Sequence, residues 1–319
     1  MVKIIAELCR NHNGDTNVLK DMIWKSADAG ASYAKMQSML PQELTYRERF
    51  EEGKIENGIV KVIKRPFGQE LESLKKTSLT DKTHYWFIEE CKAAGIKPLT
   101  TVYSRSRIPF LAKLPWPDRH IKIASWDCAS LPMIRELKNY FDHLYISTGM
   151  TEDTEVERTA RELSGHGFTF LHAVGIYPTP LEKLNLARIN YLKSLAPAVG
   201  FSDHTSPTRD GNKASIASLL FGVEVIERHF TVLERSMTKD GPVSVDYEQL
   251  KELVEFSKMK KSEIEDYVVK NVPEFKLMVG TEHVRLSQEE LLTKDYQKGR
   301  FASKVAGEWI FNWEDRKVF

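Results

Sequence analysis

The chain lacks most of the features that would place it outside the cell, in a membrane or on a nucleic acid. Three cysteines, Cys9, Cys91 and Cys128, occur in 319 residues, and none stands at a short spacing from another. They read as reduced thiols, not as a disulfide framework. The roughly 18 consecutive apolar residues of a membrane-spanning helix are found nowhere. The opening MVKIIAELCRNHNGD turns polar too early for the apolar stretch of a signal peptide. An excess of one charge is missing too. With 46 Lys and Arg against 45 Asp and Glu, no basic surplus favours nucleic acid or an anionic membrane. The G-x-G-x-x-G turn of a dinucleotide-binding sheet is absent, and no repeat of about 20–50 residues marks a solenoid. The expectation is a cytoplasmic α/β protein without nucleic-acid or membrane partners, with 41% apolar residues to fill its core.

Short β-type runs alternate with helical patterns. Strands are read near 3–8, 33–37, 97–103, 120–125, 143–148, 168–174, 198–202 and 224–230, with amphipathic segments between them. Eight strands, each followed by a helix, is the count of a (β/α)8 TIM barrel. Asp246, with Gln249 three residues on, marks the start of the helix after the last strand. Residues 1–270 are assigned to the barrel. A long charged loop after strand 2, residues 38–80, carries Lys61, Lys64, Arg65, Lys75 and Lys76; long connections are often lids or binding loops. Residues 271–319 form a C-terminal extension too short for a sizeable second domain. Its aromatic residues, Trp309, Phe311, Trp313 and Phe319, predict that it docks.

Polar residues at the C-terminal ends of barrel strands face the mouth, where such folds do chemistry. Here those ends carry Glu7, Lys35, Gln37, Thr101, Tyr103, Lys122, Ser125, Asp127, Thr148, His172 and Ser202, then the runs SDHT and ERHF. His204 and His229 lie about one βα unit apart, so strands about 4.8 Å apart would carry them. They are either ligands of one cation or two hydrogen-bonded core histidines. For the first case Glu7, Asp203 and Asp240 are available oxygen donors. Lys35 and Lys122 interrupt apolar runs, where an unpaired ammonium is costly. A ligand's phosphate or carboxylate would satisfy them, as would an ion pair with Glu7 or Asp127. Ser125, Thr148 and Ser202 would add neutral donors to the same anion.

The runs AELCRNHNGD, YAKMQ, KIAS, ISTGM, LHAVGIYPTP, GFSDHT and VIERHF occur in this order. Over about residues 3–260 they resemble the sialic acid synthases, within the wider family of nonulosonate synthases. The resemblance implies a (β/α)8 barrel and a transferase that condenses phosphoenolpyruvate with an aldose, N-acetylmannosamine or a related hexosamine. The products are a 3-deoxy-2-keto nonulosonic acid and phosphate, and a divalent metal, Mn or Mg, is required. On the same resemblance His204 and His229 match the metal-binding histidines, and Lys35, Lys122, Thr101, Ser125 and Ser202 match contacts to phosphoenolpyruvate. Glu7 matches the carboxylate near the reacting carbons, Gln37 a polar group on the metal side, and Tyr177 a tyrosine on the substrate side. Asp240 matches an aspartate on the sugar hydroxyls.

The chain departs from that pattern at three places. Gly175 stands where many members have Asn or Ser, and KDGPVS replaces the usual GPDH. The sequence stops about where a C-terminal antifreeze-like domain would begin. In the family that domain reaches across a dimer with an arginine for the N-acetyl group, so a homodimer is expected here, with the aromatic tail in part of that interface. A metal-dependent lyase or isomerase that does not use phosphoenolpyruvate, and a sugar-binding relative without turnover, stay open as alternatives.

Overall fold

The computed structural model describes residues 1–319. The parallel barrel strands are β1 Lys3–Cys9, β2 Tyr33–Ser38, β3 Lys97–Val102, β4 His120–Ile123, β5 His143–Ser147, β6 Gly167–His172, β7 Ala198–Asp203 and β8 Val225–His229. Each pairs with its sequence neighbour, and β8 closes on β1. The (β/α)8 barrel expected from the sequence is present, with a long insertion after β2 and a C-terminal extension.

Side chains alternate across a strand with a period of two, and this places the site. Ile5, Tyr33, Leu99, Tyr145, Leu171 and Val225 form one buried cluster that plugs the barrel interior. Two residues further along the same strands come Glu7, Lys35, Thr101, Ser147 and Glu227. The polar set is therefore the layer directly above the apolar plug. The alternate residues, among them Ala6, Leu8, Ala34, Met36 and Ile226, join the large cluster between barrel and helices.

The stretch 38–80 is folded rather than loop. It contains the helix Arg49–Glu52, the hairpin Lys54–Glu56 with Ile59–Val62, and the helix Phe67–Thr77. Of its five basic residues named above, Arg65 alone lines the barrel-mouth cavity. Lys64 pairs with Glu52 and Lys75 with Glu72 out in solvent, where such pairs contribute little.

Asp246 caps the helix Tyr247–Phe256, and the capping box with Gln249 forms as its spacing predicts. Beyond the helix Lys261–Asn271 the chain returns over the barrel mouth through the helix Gln288–Gln297 and the hairpin Ala302–Val305 with Glu308–Phe311. It docks on its own barrel mostly through residues other than the expected aromatics. Phe311 and Trp313 stack on each other, and Phe319 is 47% exposed. The anchors are Phe301 against Tyr103, the Arg105 guanidinium donating to the Glu314 and Arg316 carbonyls at 2.7 Å, and Asn312. Backbone carbonyls of an irregular tail need donors once buried, and Arg105 supplies several at once.

Asn312 Nδ2 bridges the Tyr103 carbonyl and Asp127 Oδ1, each at 3.0 Å. Asp127 has no cationic side chain in contact, and its Oδ2 is buried without a partner. Burial pushes its carboxyl up to about 6 although Asn312 and Ser130 donate to it. A raised folded-state value means that the protonated form is the stable one. Its contribution is complete below the unfolded value near 4 and is lost as pH rises through about 6, roughly 3 kcal/mol in all. Asp127→Asn is expected to remove this slope. Chemical denaturation at about pH 4 and about pH 7 should show a smaller difference in the variant than in the parent protein; equal slopes would contradict the assignment.

Candidate active site

Strand register assembles the charged layer. Glu7 lies beside His229 of β8 and Lys35 of β2, Thr101 beside Lys122, and Ser202 beside Glu227. Glu7 pairs with Lys35 and accepts from Gln37 Nε2 at 2.8 Å. Lys35 Nζ also donates to Thr101 Oγ1 at 2.8 Å and lies 3.6 Å from Glu227. Lys122 Nζ donates to Ser147 Oγ at 2.7 Å and to Glu227 Oε1 at 3.3 Å. Ser202 Oγ donates to the same Glu227 oxygen at 3.0 Å.

Two lysines and two glutamates thus form a buried, neutral tetrad. Burial works against every charge in it. Lys122 and Lys35 nevertheless hold the Glu227 carboxyl down at about 2. For Lys35 the two carboxylates outweigh burial and raise its value, whereas for Lys122 burial wins and lowers it. Glu227 is the member of this charged layer that the sequence reading missed. Its signal was present: it stands two residues before His229 and so shares the inward face. An ammonium has three donors, and Lys122 places two of them on Ser147 and Glu227.

The two histidines are neighbours, with ring centroids 5.5 Å apart. His204 Nδ1 faces the Val174 carbonyl at 3.2 Å. A carbonyl only accepts, so Nδ1 carries the proton and Nε2 accepts from the Tyr177 hydroxyl at 2.8 Å. The bond from Nδ1–H to a carbonyl fixes the ring as it would for a ligating histidine, and here the Nε2 lone pair is taken by Tyr177. Burial first, then His229, push His204 well below its ordinary value, so the ring is neutral. His229 Nδ1 is buried with no partner.

Donor atoms of Cys9, His229 and Asp240 all lie within 4.8 Å of one another. Burial, then the Asp240 carboxylate, push the Cys9 thiol well up, so it carries its proton in this state. Asn11 fixes the loop that brings Asp240 here. Its Nδ2 donates to the Phe230 carbonyl at 2.9 Å and to Ser244 Oγ at 2.8 Å, and its Oδ1 accepts from the Asp240 amide at 3.3 Å. Gly241 follows, where a Cβ would lie 1.8 Å from the Arg235 carbonyl oxygen; no other residue fits. An imidazole, a carboxylate and a thiol that converge in this way suit a divalent transition metal.

Other expected residues go elsewhere. Asp203 pairs with the fully buried Arg228 at 3.0 Å and accepts from Thr205 and Ser215, on the outer face of β7. It is not an oxygen donor at the mouth. Asp127 serves the tail, not a lysine. Thr148 donates to the Leu171 carbonyl, and Ser147, one residue earlier, holds the place facing Lys122. His172 is bonded to the Leu184 carbonyl. A Cβ at Gly175 would lie 2.2 Å from Met150 Cγ, so Met150 occupies the space that a larger residue would use and would have to shift to admit one.

The mouth opens into a cavity of about 450 Å³. Glu7, Lys35, Gln37, Thr101, Lys122, Ser125, Tyr177, Ser202, His204, His229 and Asp240 all line it. Its outer wall comes from the insertion and the extension. There Arg10 and Lys239 meet Glu70 at 3.4 and 3.1 Å, and Arg300 completes the group. Arg300 belongs to no motif, and sequence offered no signal for it. Burial raises the Glu70 carboxyl, yet Arg300, Lys239 and Arg10 hold it at about 2. No helix of the protein is long and apolar enough to cross a membrane.

Comparison with known proteins agrees with this architecture. The model of the NeuB family matches residues 22–267. The chain is similar to N,N'-diacetyllegionaminic acid synthase of Campylobacter jejuni, 31% identical over 265 residues that cover 78% of this chain and 73% of that protein. It is also 31% identical, over 259 residues, to N-acetylneuraminate-9-phosphate synthase of Drosophila melanogaster, covering 79% and 66% of the two chains. The solved N-acetylneuraminic acid synthetase of Leptospira borgpetersenii shares the fold, with a TM-score of 0.68 at 24% identity over 86% of this chain and 92% of that one. A family match across most of the chain, joined to relatives above 30% identity, establishes that this protein belongs to the NeuB family of synthase enzymes.

Proposed function

We propose that the enzyme condenses phosphoenolpyruvate with an aldose to give a 3-deoxy-2-keto sugar acid and phosphate. The observation that carries this reading is the buried tetrad of Lys35, Glu7, Glu227 and Lys122, set among hydroxyls at the closed end of the cavity. On this reading Lys35, Lys122, Ser125, Thr101 and, once its hydroxyl turns from Glu227, Ser202 would donate to the phosphate and carboxylate of phosphoenolpyruvate, in a site where water does not weaken them. C3 of phosphoenolpyruvate attacks the aldehyde carbon, and positive charge develops at C2. Glu7, held by Lys35 and Gln37, stabilises that charge and orients the water that adds there. The tetrahedral centre then expels phosphate, with Lys122 beside the leaving oxygens. His229 and Asp240, with His204 beside them, would hold a divalent cation, whose contribution when bound is to polarise the acceptor aldehyde. Tyr177 and Asp240 stand on the acceptor side.

The outer wall favours an acceptor with an anionic group. Arg10, Lys239 and Arg300 place three cations on the single carboxylate of Glu70, and both arginines are buried. Buried charge is stable only when paired, and a terminal phosphate or carboxylate would balance this wall. The name of the Drosophila relative also refers to a 9-phosphate product. Arg300→Ala should therefore raise KM for a phosphorylated acceptor about tenfold or more, the worth of a charge-assisted hydrogen bond, and leave KM for phosphoenolpyruvate unchanged.

Phosphate release from phosphoenolpyruvate with Mn, screened over N-acetylmannosamine, its 6-phosphate and other hexosamines, tests the whole reading. Release that depends on one acceptor is the expected result. Binding of phosphoenolpyruvate with no release from any acceptor would favour a sugar-binding relative instead.

A further inference from the structure

We propose that Cys9 Sγ is a direct ligand of the divalent metal, beside His229 and Asp240, so that the site prefers a borderline-soft cation over Mg. The inference rests on the metal-dependent reading above and concerns which residues bind the ion.

The three cysteines do not behave alike. Cys91 and Cys128 pack inside the large apolar cluster. Cys9 belongs to none of the apolar clusters, although it is buried. It lies at the end of β1, where the pairing with β2 shifts register between Glu7 and Cys9. A bulge at a strand end re-aims the next side chain. The Cys9 backbone also has φ +41°, in the left-handed region. Glycine adopts that region freely and cysteine at a cost. Such an outlier points to function where a specific side chain gains something. Here the thiol gains Asp240 and His229.

The geometry fits a metal. Donors bonded tetrahedrally to one ion at roughly 2.0–2.3 Å lie about 3.3–3.8 Å apart, so a group within 4.8 Å comes into range with a shift of about 1 Å or less. His229 contributes a ring nitrogen to this group, and its Nδ1 is buried with no partner. On binding, Sγ gives up its proton to solvent and donates a lone pair to the ion, with no change of oxidation state. Thiolate is a soft ligand that favours Zn, Co or Fe, whereas Mg prefers oxygen ligands and water.

Cobalt titration of the whole chain tests this without turnover. A thiolate-to-cobalt charge-transfer band in the near ultraviolet is expected in the parent protein and should vanish in Cys9→Ser and Cys9→Gly. Glycine suits the positive φ, so Cys9→Gly should fold at least as well, and its melting temperature checks that. Zinc affinity by competition should fall by more than the roughly 10–100-fold typical of losing an outer-shell partner, while Mg affinity stays within a few-fold. Cobalt bound without the band, or Zn affinity unchanged in Cys9→Gly, overturns the thiolate ligand and leaves the metal-dependent reading standing. No divalent ion bound at all overturns both.

Discussion

Replacing Lys35 with Met is expected to cost the enzyme both stability and turnover. The Lys35 ammonium is the cation against Glu7, and both side chains are almost wholly buried. Methionine matches the stem but brings no charge. Glu7 would keep only the Gln37 amide. Removing one partner of a buried ion pair typically costs about 3–5 kcal/mol, because a buried carboxylate is left uncompensated. Denaturant unfolding at neutral pH should register that loss. Phosphate release should fall by at least the roughly 10²–10³-fold that follows loss of one oxyanion-stabilising donor. Near-normal stability would mean that Glu7 is better solvated than its surroundings imply. Near-normal turnover would remove Lys35 from the proposed chemistry.

Glu7→Gln is expected to separate binding from chemistry. The amide has the shape of the carboxylate, and phosphoenolpyruvate would be held mainly by Lys35, Lys122, Ser125, Thr101 and Ser202 from other strands and the loops that follow them. Calorimetry should therefore find phosphoenolpyruvate bound within a few-fold of the parent affinity. Turnover should collapse, because glutamine carries no negative charge to stabilise a cationic C2 or to orient water. A loss of about 4 kcal/mol of transition-state stabilisation corresponds to roughly 10³-fold in rate. Unchanged turnover would end the assignment of Glu7, and loss of both binding and turnover would recast it as a residue that positions Lys35. The two variants together distinguish a cation that holds the site together from a carboxylate that acts in it.

Much of this site was legible in the linear sequence because a barrel strand has a strict alternation. Once Lys35 and Lys122 are seen inside apolar runs, their inward direction follows, and so does the polarity of the mouth. The eight strands emerged within a few residues for the same reason. Where the register was read one residue off, the error moved a side chain to the wrong face. Thr148 was credited with the place that Ser147 holds, and Asp203 was offered to a metal although it points outward to Arg228. Glu227, next to Arg228 in ERHF, was passed over. The strand sends them to opposite faces, so Glu227 meets lysines of β2 and β4 instead.

By itself the sequence determined the fold class, the inward polar layer and the identity of its lysines and histidines, since these depend on local periodicity and on the energetic oddity of buried charge. Only the tertiary structure decided the partners. The turn of the chain at Cys9 brings a thiol, an imidazole and a carboxylate from distant positions to one point. Arg300 reaches Glu70 from 230 residues away because the extension folds back over the mouth. Such contacts are made between surfaces that close on each other late in the chain path, and no spacing along the sequence encodes a distance of that kind.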